Sequence, residues 1–261
     1  MGRETILELW RYRELLYFFA WREVKVRYRQ AAFGAAWAVV QPLLNMIVFT
    51  LIFGRVAHMP SEGIPYPIFI YCALVPWTYF ANVVGTASGS LINNDSLLTK
   101  VYFPRMLLPA GAALAGLLDF VIGSVLLVGL MLYYHVAPSW ALLLSPVIIV
   151  VMVLLTAGVG MMMAAANVRY RDVRYALPFL IQIWMFATPI IYPMTVIPKR
   201  FRLILALNPC WGIVDGFRAC LFPGVPFDSR LVGTSIAVAV AVFLAGAYYF
   251  RREEKSFADV I

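Results

Sequence analysis

A row of aromatic and amide side chains runs through the first long apolar segment of the chain. Its members recur every four residues and are Trp37, Gln41, Asn45, Phe49 and Phe53. Because an α-helix has about 3.6 residues per turn, such a row winds slowly along one side of a helix. Aromatic rings stack on the C–H faces of sugars, and amides exchange hydrogen bonds with hydroxyl groups. The row is therefore suited to a carbohydrate, although amides of this kind also join packed helices.

A later apolar segment carries a second row of the same chemistry. It consists of Gln182, Trp184, Thr188 and Tyr192, the last three again four residues apart. Polar groups inside a membrane segment need a partner or water. We predict that the two rows line one hydrophilic translocation path, with plain helix packing as the alternative.

Asp119 is the only charged residue between positions 106 and 134. Near the middle of a membrane helix a carboxylate is costly unless it is paired or protonated. No Lys or Arg within the long apolar segments stands out as its partner. The residue could serve in proton transfer, or a neighbouring helix could satisfy it by hydrogen bonding.

The elements that hold these side chains are more apolar than a soluble domain. Of the 261 residues, 63% are hydrophobic and 13% are charged, against roughly 45–50% and 25% in soluble domains. This composition excludes an ordinary globular enzyme and makes lipid the solvent. A membrane span needs about 20 apolar residues. Six runs of this kind are predicted to span, at approximately 31–57, 64–93, 106–134, 140–167, 175–196 and 230–250.

Two segments outside the spans also have a predicted structure. Residues 1–30 are expected to form an amphipathic helix at the membrane surface, with a helix that packs on a soluble partner as the alternative. Its apolar row is Tyr17, Trp21, Val24 and Tyr28, and its basic face is Arg22, Lys25 and Arg29. Residues 197–229 contain two apolar stretches too short to span, which predict two re-entrant helices. The fold class is an all-α membrane protein whose permease domain covers 31–261.

The formal net charge of +8 is unevenly distributed along the chain. Of the 21 basic residues, 15 lie in the N-terminal segment, in the C-terminal tail and in the connections after spans two and four. By the positive-inside rule these segments, and both termini, are cytoplasmic. The positive charge therefore indicates orientation in a membrane and not a nucleic-acid partner.

Missing motifs narrow the function classes further. A P-loop needs a lysine directly after a glycine, and none of the four lysines follows one. The histidines and cysteines show no metal-ligand spacing, so neither a metal site nor a catalytic centre is indicated. Cys210 and Cys220 share the segment between spans five and six, where disulfide formation stays open.

Six short motifs, in this order and spacing, are together characteristic of one family. They are Arg22–Gln30 with Phe33-Gly34, Trp37 and Gln41-Pro42-Leu43; Asn94–Arg105; Asn167–Arg174; Thr188–Pro193; Leu207-Asn208-Pro209; and Phe257–Ile261. Over nearly its whole length the chain resembles the permease subunit of ABC exporters for polysaccharides, the family that exports O-antigen, capsule and teichoic acid. The first and fifth spans border the conduit in that family, which favours the path prediction.

The resemblance implies a homodimer of this chain bound to two copies of a separate P-loop ATPase subunit. The complex would move a lipid-linked glycan, O-antigen in the first place, from the cytoplasm across the inner membrane. ATP and Mg²⁺ would bind to the ATPase, so the chain itself would need no cofactor and would not be an enzyme. Its contacts with the ATPase are expected at Asn94, Asp95, Lys100, Tyr102, Arg105, Arg169, Arg171 and Asp172.

A lipid-linked glycan carries phosphate, which arginine binds through its planar guanidinium. We expect Arg27, Arg29 and Arg105 to receive this phosphate on the cytoplasmic side, with anchoring at lipid headgroups as the alternative.

Rival functions remain open at this stage. A proton-coupled or passive flippase would depend on Asp119 and would need no ATPase. A membrane glycosyltransferase would need acidic residues gathered at one interface, which the chain does not visibly provide. A permease of the same architecture could also carry a capsular glycan, teichoic acid or a small molecule.

Overall fold

The computed structural model describes residues 11–29, 36–100, 103–198, 205–254 and 257. Within these ranges the regular structure is helical, and no β-strand occurs. The helices are α1 (Arg13–Tyr28), α2 (Trp37–Phe49), α3 (Tyr66–Gly89), α4 (Asp95–Lys100), α5 (Leu107–Tyr133), α6 (Ser145–Arg169), α7 (Val173–Phe186), α8 (Pro209–Leu221) and α9 (Ser229–Glu253). The all-helical class expected from composition is confirmed.

Five helical segments are long and apolar enough to cross a bilayer. They are Trp37–Val56, Tyr66–Gly89, Leu107–Tyr133, Trp140–Arg169 and Ser229–Glu253. The first consists of α2 and a π-helical continuation, Thr50–Val56, and the fourth is α6 with a preceding 3₁₀ turn, Trp140–Leu144. Each matches one of the predicted spans within a few residues, because a helix in lipid must satisfy its own backbone hydrogen bonds.

The predicted span at 175–196 is helical over only part of its length. The helix α7 has 14 residues, which corresponds to about 21 Å and is short for a bilayer core. After Phe186 the chain turns, and a short 3₁₀ helix, Met194–Val196, follows. Pro189 and Pro193 lie in this turn, where a ring in place of the N–H prevents an α-helix from continuing.

The helix α3 is the centre of the bundle, with 16 of its 24 residues buried. Two tyrosine hydroxyls on α3 donate to backbone carbonyls of α5: Tyr79 to Ala113 at 3.0 Å and Tyr71 to Gly123 at 3.3 Å. Tyr71 precedes Tyr79 on α3, whereas its partner Gly123 follows Ala113 on α5. The two helices are therefore antiparallel. We call the end of the bundle at α4 the α4 end, and the opposite end the α8 end.

Glycines allow α6 and α9 to pack backbone to backbone. A Cβ placed on Gly246 would lie 2.2 Å from the carbonyl oxygen of Gly158, and one on Gly158 would lie 2.6 Å from Cα of Phe243. Small residues at such contacts let membrane helices approach closely. A Cβ on Gly160 would similarly lie 2.9 Å from Ala87 of α3, whereas Gly85 borders open space.

The helix α8 closes the α8 end, and every one of its 13 residues is buried. It begins with Pro209 and is capped by Asn208, whose side-chain oxygen accepts from the backbone N–H of Cys210. α8 corresponds to the second of the two short helices predicted in 197–229. The first apolar stretch begins at Leu203, outside the described residues. Cys72, Cys210 and Cys220 are buried free thiols.

Candidate functional site

The carboxylate of Asp119 meets the C-terminal end of α1. Arg27 donates from Nη1 to Oδ2 of Asp119, and the hydroxyl of Tyr28 donates to Oδ1. Burial, together with the hydrogen bond to the carboxylate, raises the pKa of Tyr28 to about 12, so the phenol stays protonated and remains a donor. The Nη2 atom of Arg27 is buried and has no hydrogen-bond partner among the described residues.

These contacts arise because α1 lies alongside α5. Near its start, α1 packs through Phe19, the one buried residue of the helix, and a Cβ on Gly111 would lie 3.1 Å from the Cβ of Phe19. Eight residues further along each helix, Arg27 meets Asp119. Asp119 follows Leu107 by 12 residues, so it lies about 18 Å along α5 from the α4 end. Its partner therefore comes from outside the spans.

The apolar row predicted on α1 is only partly packed against the bundle: Tyr28 contacts Asp119, whereas the first two members of the row are exposed. Tyr17 is 68% exposed and Trp21 is 48% exposed. Phe19 instead packs on Phe103, at 5.2 Å between ring centroids. The packed face and the exposed aromatic face thus lie on different sides of the helix.

A cavity of about 270 Å³ opens beside the Asp119 contact, between α1, α2, α3 and α5. It is lined by rings, hydroxyls and amides, including Tyr71, Thr78, Tyr79, Asn82, Thr86 and the first two members of the α2 row, Trp37 and Gln41. Sequence reasoning missed the α3 residues, although a Thr78, Asn82, Thr86 repeat every four residues is the same signal that marked α2.

The rest of the α2 row extends toward the α8 end. Asn45 is exposed, while Phe49 and Phe53 are half-buried against the main core and contact each other at 6.0 Å between centroids.

Two further cavities continue from the first toward the α4 end. One, of about 670 Å³, shares Asn82 and Thr86 with the first cavity and reaches Arg174 and Asn167. The next, of about 310 Å³, shares Arg174 and Asn167 and is bordered by Arg171. A series of polar cavities therefore leads from the α4 end to Asp119.

In the second row, which begins on α7 and continues into the turn after it, Asn208 binds two members, Trp184 and Thr188. Trp184 donates from Nε1 to Oδ1 of Asn208 at 2.8 Å, and the amide of Asn208 donates to the hydroxyl of Thr188 at 3.1 Å. Trp184 also packs edge-on against Phe80, at 5.0 Å. Gln182 is exposed, and Tyr192 donates to the carbonyl of Phe186 at 3.1 Å. In the sequence Asn208 belongs to the motif Leu207-Asn208-Pro209, and an Asn-Pro pair is also a helix-start signal.

Three contacts gather the predicted coupling residues at the α4 end. Arg22 of α1 donates to Oδ1 of the buried Asn94. Arg105 donates from Nη1 to the carbonyl of Glu254 at 2.8 Å. Arg169 pairs with Glu253 at 3.1 Å. Arg22, Glu253 and Glu254 were not predicted here, because sequence spacing does not show that α9 ends beside α5 and α6.

The remaining predicted residues have less defined environments. Asp95 is the exposed first residue of α4, and Lys100 is its last. Arg171 and Asp172 are exposed between α6 and α7, and Arg29 is exposed just after α1. Tyr102 lies outside the described residues.

The two helices that carry the aromatic and amide rows have few buried residues. Two residues of α2, Pro42 and Met46, are buried, and in α7 Leu177 alone is. In a membrane these faces contact lipid or another protein surface.

Comparison with known proteins agrees with the motif pattern. The family model described as ABC-2 type transporter matches residues 14–222. The O-antigen export system permease protein RfbA of Myxococcus xanthus is 32% identical over 259 residues, which is 98% of each chain. An RfbA protein of Klebsiella pneumoniae is 26% identical over 95% of each chain, and the polysialic acid transport protein KpsM of Escherichia coli is 24% identical over 89% of this chain and 91% of its own. The resemblance predicted from the motifs is confirmed, and the chain belongs to the ABC-2 type transporter family.

Proposed function

We propose that this chain is the membrane subunit of an ATP-driven exporter that moves a lipid-linked polysaccharide, namely O-antigen, across the inner membrane. The observation that carries the proposal is the 32% identity to an O-antigen export permease over 98% of both chains. Two relatives at 24% and 25% identity are named for polysialic acid transport, so a capsular glycan is the second choice of cargo.

The translocation path forms between two copies of the chain. In this arrangement α7 and the turn after it make the fifth of six spans, and α8 dips into the outer leaflet as a re-entrant helix. The exposed faces of α2 and α7 support this proposal, because together they leave Trp37, Gln41, Asn45 and Gln182 open to a partner or to cargo. Rings and amides along such a path let a sugar chain slide without a single tight site.

The motor is a separate P-loop ATPase, bound at the α4 end in two copies and carrying ATP and Mg²⁺. Both termini and the α4 end face the cytoplasm, as the positive-inside rule requires. Closure of the ATPase pushes on α4 and the following segment. The contacts of Asn94 with Arg22, and of Arg105 with Glu254, connect this segment to α1 and to the end of α9.

Phosphate of the lipid-linked cargo enters at the same end. Arg29 is exposed just after α1 and is available for it. Arg105 already donates to the backbone of Glu254, so its contact with phosphate uses its remaining donors.

Transport with a separable motor is tested by reconstitution. We expect the purified chain alone to hydrolyse no ATP, and the complex with its cognate ATPase to do so. Expression of the chain in a host that lacks its own O-antigen permease should restore surface glycan. Robust ATP hydrolysis by the chain alone, or export in a host without the ATPase, would overturn the proposal.

Coupling is tested at Arg105. We expect Arg105→Ala to lower export about tenfold while ATP hydrolysis by the complex stays near the wild-type rate, because a hydrogen bond from a charged donor contributes about 1.5–3 kcal/mol. The measurement is surface glycan per ATP hydrolysed. Arg230→Ala is the control, since Arg230 is an exposed arginine at the α8 end. A parallel fall in hydrolysis and export would contradict a coupling role.

A further inference from the structure

The Arg27–Asp119 contact leaves half of a guanidinium unused. Nη1 of Arg27 donates to the carboxylate, but Nη2 is buried without an acceptor among the described residues. An unsatisfied buried donor is unfavourable, and more so when it carries charge. A phosphate group accepts from both Nη atoms of an arginine at once, because two of its oxygens match the planar fork of the guanidinium.

An anion can reach this arginine from the α4 end. The three connected cavities begin at the exposed Arg171 and Arg174 and continue past Asn82 and Thr86 to Arg27. Among the described residues that line these cavities, Asp119 is the single acidic one. The lining therefore attracts a negative group along its length and opposes it at one position.

From this geometry we infer that Asp119 is a built-in competitor for a phosphate-bearing ligand at Arg27. A phosphate binds in the cavity between α1, α2, α3 and α5 when Arg27 leaves the carboxylate. A phosphate that accepts from both Nη1 and Nη2 takes the donor that Asp119 now uses, and the two anions repel each other where the surrounding protein screens them weakly. Tyr28 remains as the donor to Asp119 after the exchange. That the phosphate belongs to a lipid-linked glycan rests on the proposed function.

The exchange has a mechanical consequence for α1. The contact with Asp119 holds the C-terminal end of α1 against α5, and Arg22 connects the same helix to Asn94 beside α4. Arrival of phosphate at Arg27 therefore frees one end of a helix whose other contacts lie next to the proposed ATPase surface. Occupancy of the cavity is thereby signalled to the motor.

The test measures phosphate affinity in the intact complex. Permease and ATPase are placed together in nanodiscs of phosphatidylcholine, and binding of a polyprenyl phosphate is followed by native mass spectrometry. We expect Asp119→Asn to tighten binding about tenfold, because it removes the competing negative charge. Tyr28→Phe should weaken binding about two- to threefold, because the displaced carboxylate then loses its remaining donor. Arg27→Gln should weaken binding by tenfold or more.

Matched controls lie on α1 itself. Glu14 and Tyr17 are exposed on that helix, and Glu14→Gln and Tyr17→Phe should leave the affinity unchanged. Asp119→Asn binding equal to or weaker than wild type would overturn the inference. If Asp119→Asn fails to fold, Tyr28→Phe decides, because it removes one hydroxyl and keeps every charge. Unchanged or tighter binding by Tyr28→Phe then overturns the inference.

Two further probes identify the source of the phosphate. If Asp119→Asn increases the affinity for polyprenyl phosphate more than the affinity for inorganic phosphate, the result supports a lipid-linked cargo. In nanodiscs of phosphatidylglycerol without polyprenyl phosphate, an equal increase in the binding of phosphatidylglycerol by Asp119→Asn would assign the site to bulk lipid and overturn the cargo assignment. Export by the wild-type chain is measured separately in cells. If export occurs but Asp119→Asn leaves the affinity unchanged, the role of Asp119 as a competitor is refuted and the proposed function stands. If export is absent but Asp119→Asn tightens binding, the proposed function is refuted and the competitor role stands.

Discussion

Gly246→Leu is expected to prevent stable assembly of the bundle. A Cβ at this position would lie 2.2 Å from the carbonyl oxygen of Gly158, a distance at which α6 and α9 must separate. Because both helices belong to the backbone scaffold, no flexible side chain can give way. We expect a loss of about 3 kcal/mol, the upper part of the range for overpacked interiors. The measurements are the SDS-induced unfolding midpoint in mixed micelles and the yield of monodisperse protein.

The same helix provides the control. Gly233 also lies on α9, but no atom lies within 4 Å of a Cβ placed there. Gly233→Leu should therefore be at least as stable as wild type, because it adds the same side chain without a clash and replaces an exposed helical glycine by a better helix former. If both variants are destabilised alike, close packing does not explain the effect, and the structural account of the α6–α9 contact is wrong.

Arg218→Met is expected to disconnect α8 from the turn that follows α7. Arg218 donates to the carbonyls of Pro189 at 2.6 Å and Ile190 at 2.7 Å, and its guanidinium lies 3.7 Å from the ring centroid of Phe69. Burial lowers the pKa of Arg218 to about 10, so the side chain keeps its charge at neutral pH.

Methionine fills much of the same volume but donates no hydrogen bond. The carbonyls then lose their partner, at a cost of about 1–3 kcal/mol for each buried group, offset in part by relief of the buried charge. We expect a net loss of about 2–3 kcal/mol by SDS unfolding, and export reduced more than Arg218→Lys reduces it.

Arg230→Met serves as the matched control for this variant. Arg230 is an exposed arginine at the same end of the bundle, and its side chain makes no comparable set of contacts among the described residues. The variant should match wild type in both measurements. Equal stability of Arg218→Met and wild type would show that the two carbonyls are satisfied in another way.

The extent of most spans follows from sequence alone, while the end of α7 does not. Hydropathy placed α3, α5, α6 and α9 within a few residues, because a helix in lipid satisfies its backbone locally. The same criterion continued the fifth span through Pro189 and Pro193, since both residues are apolar. Whether such prolines kink a helix or end it depends on the partners available to the freed carbonyls. Here those of Pro189 and Ile190 accept from Arg218.

In the candidate site, too, the sequence indicates individual residues but not the contacts between them. Composition marked Asp119 as costly and the family resemblance predicted Arg27 as a phosphate ligand, but neither indicates that the two residues are in contact. They are 92 residues apart. The charges of α1 place it outside the apolar spans, so the sequence does not indicate it as the partner of an intramembrane carboxylate. Arg218 is one of the six basic residues outside the segments expected to be cytoplasmic, and charge alone does not indicate that it is buried, with 1% of its surface exposed.

The sequence by itself therefore determined the membrane environment, the helical class, the extent of five spans and the family, because each depends on local composition and on ordered motifs. The tertiary structure alone decided which helix meets Asp119, how Asn208 and Arg218 hold the turn after α7, and that polar cavities connect the α4 end to the middle of α5. These features depend on distances between residues far apart in the chain, which follow from packing and not from the properties of any one segment.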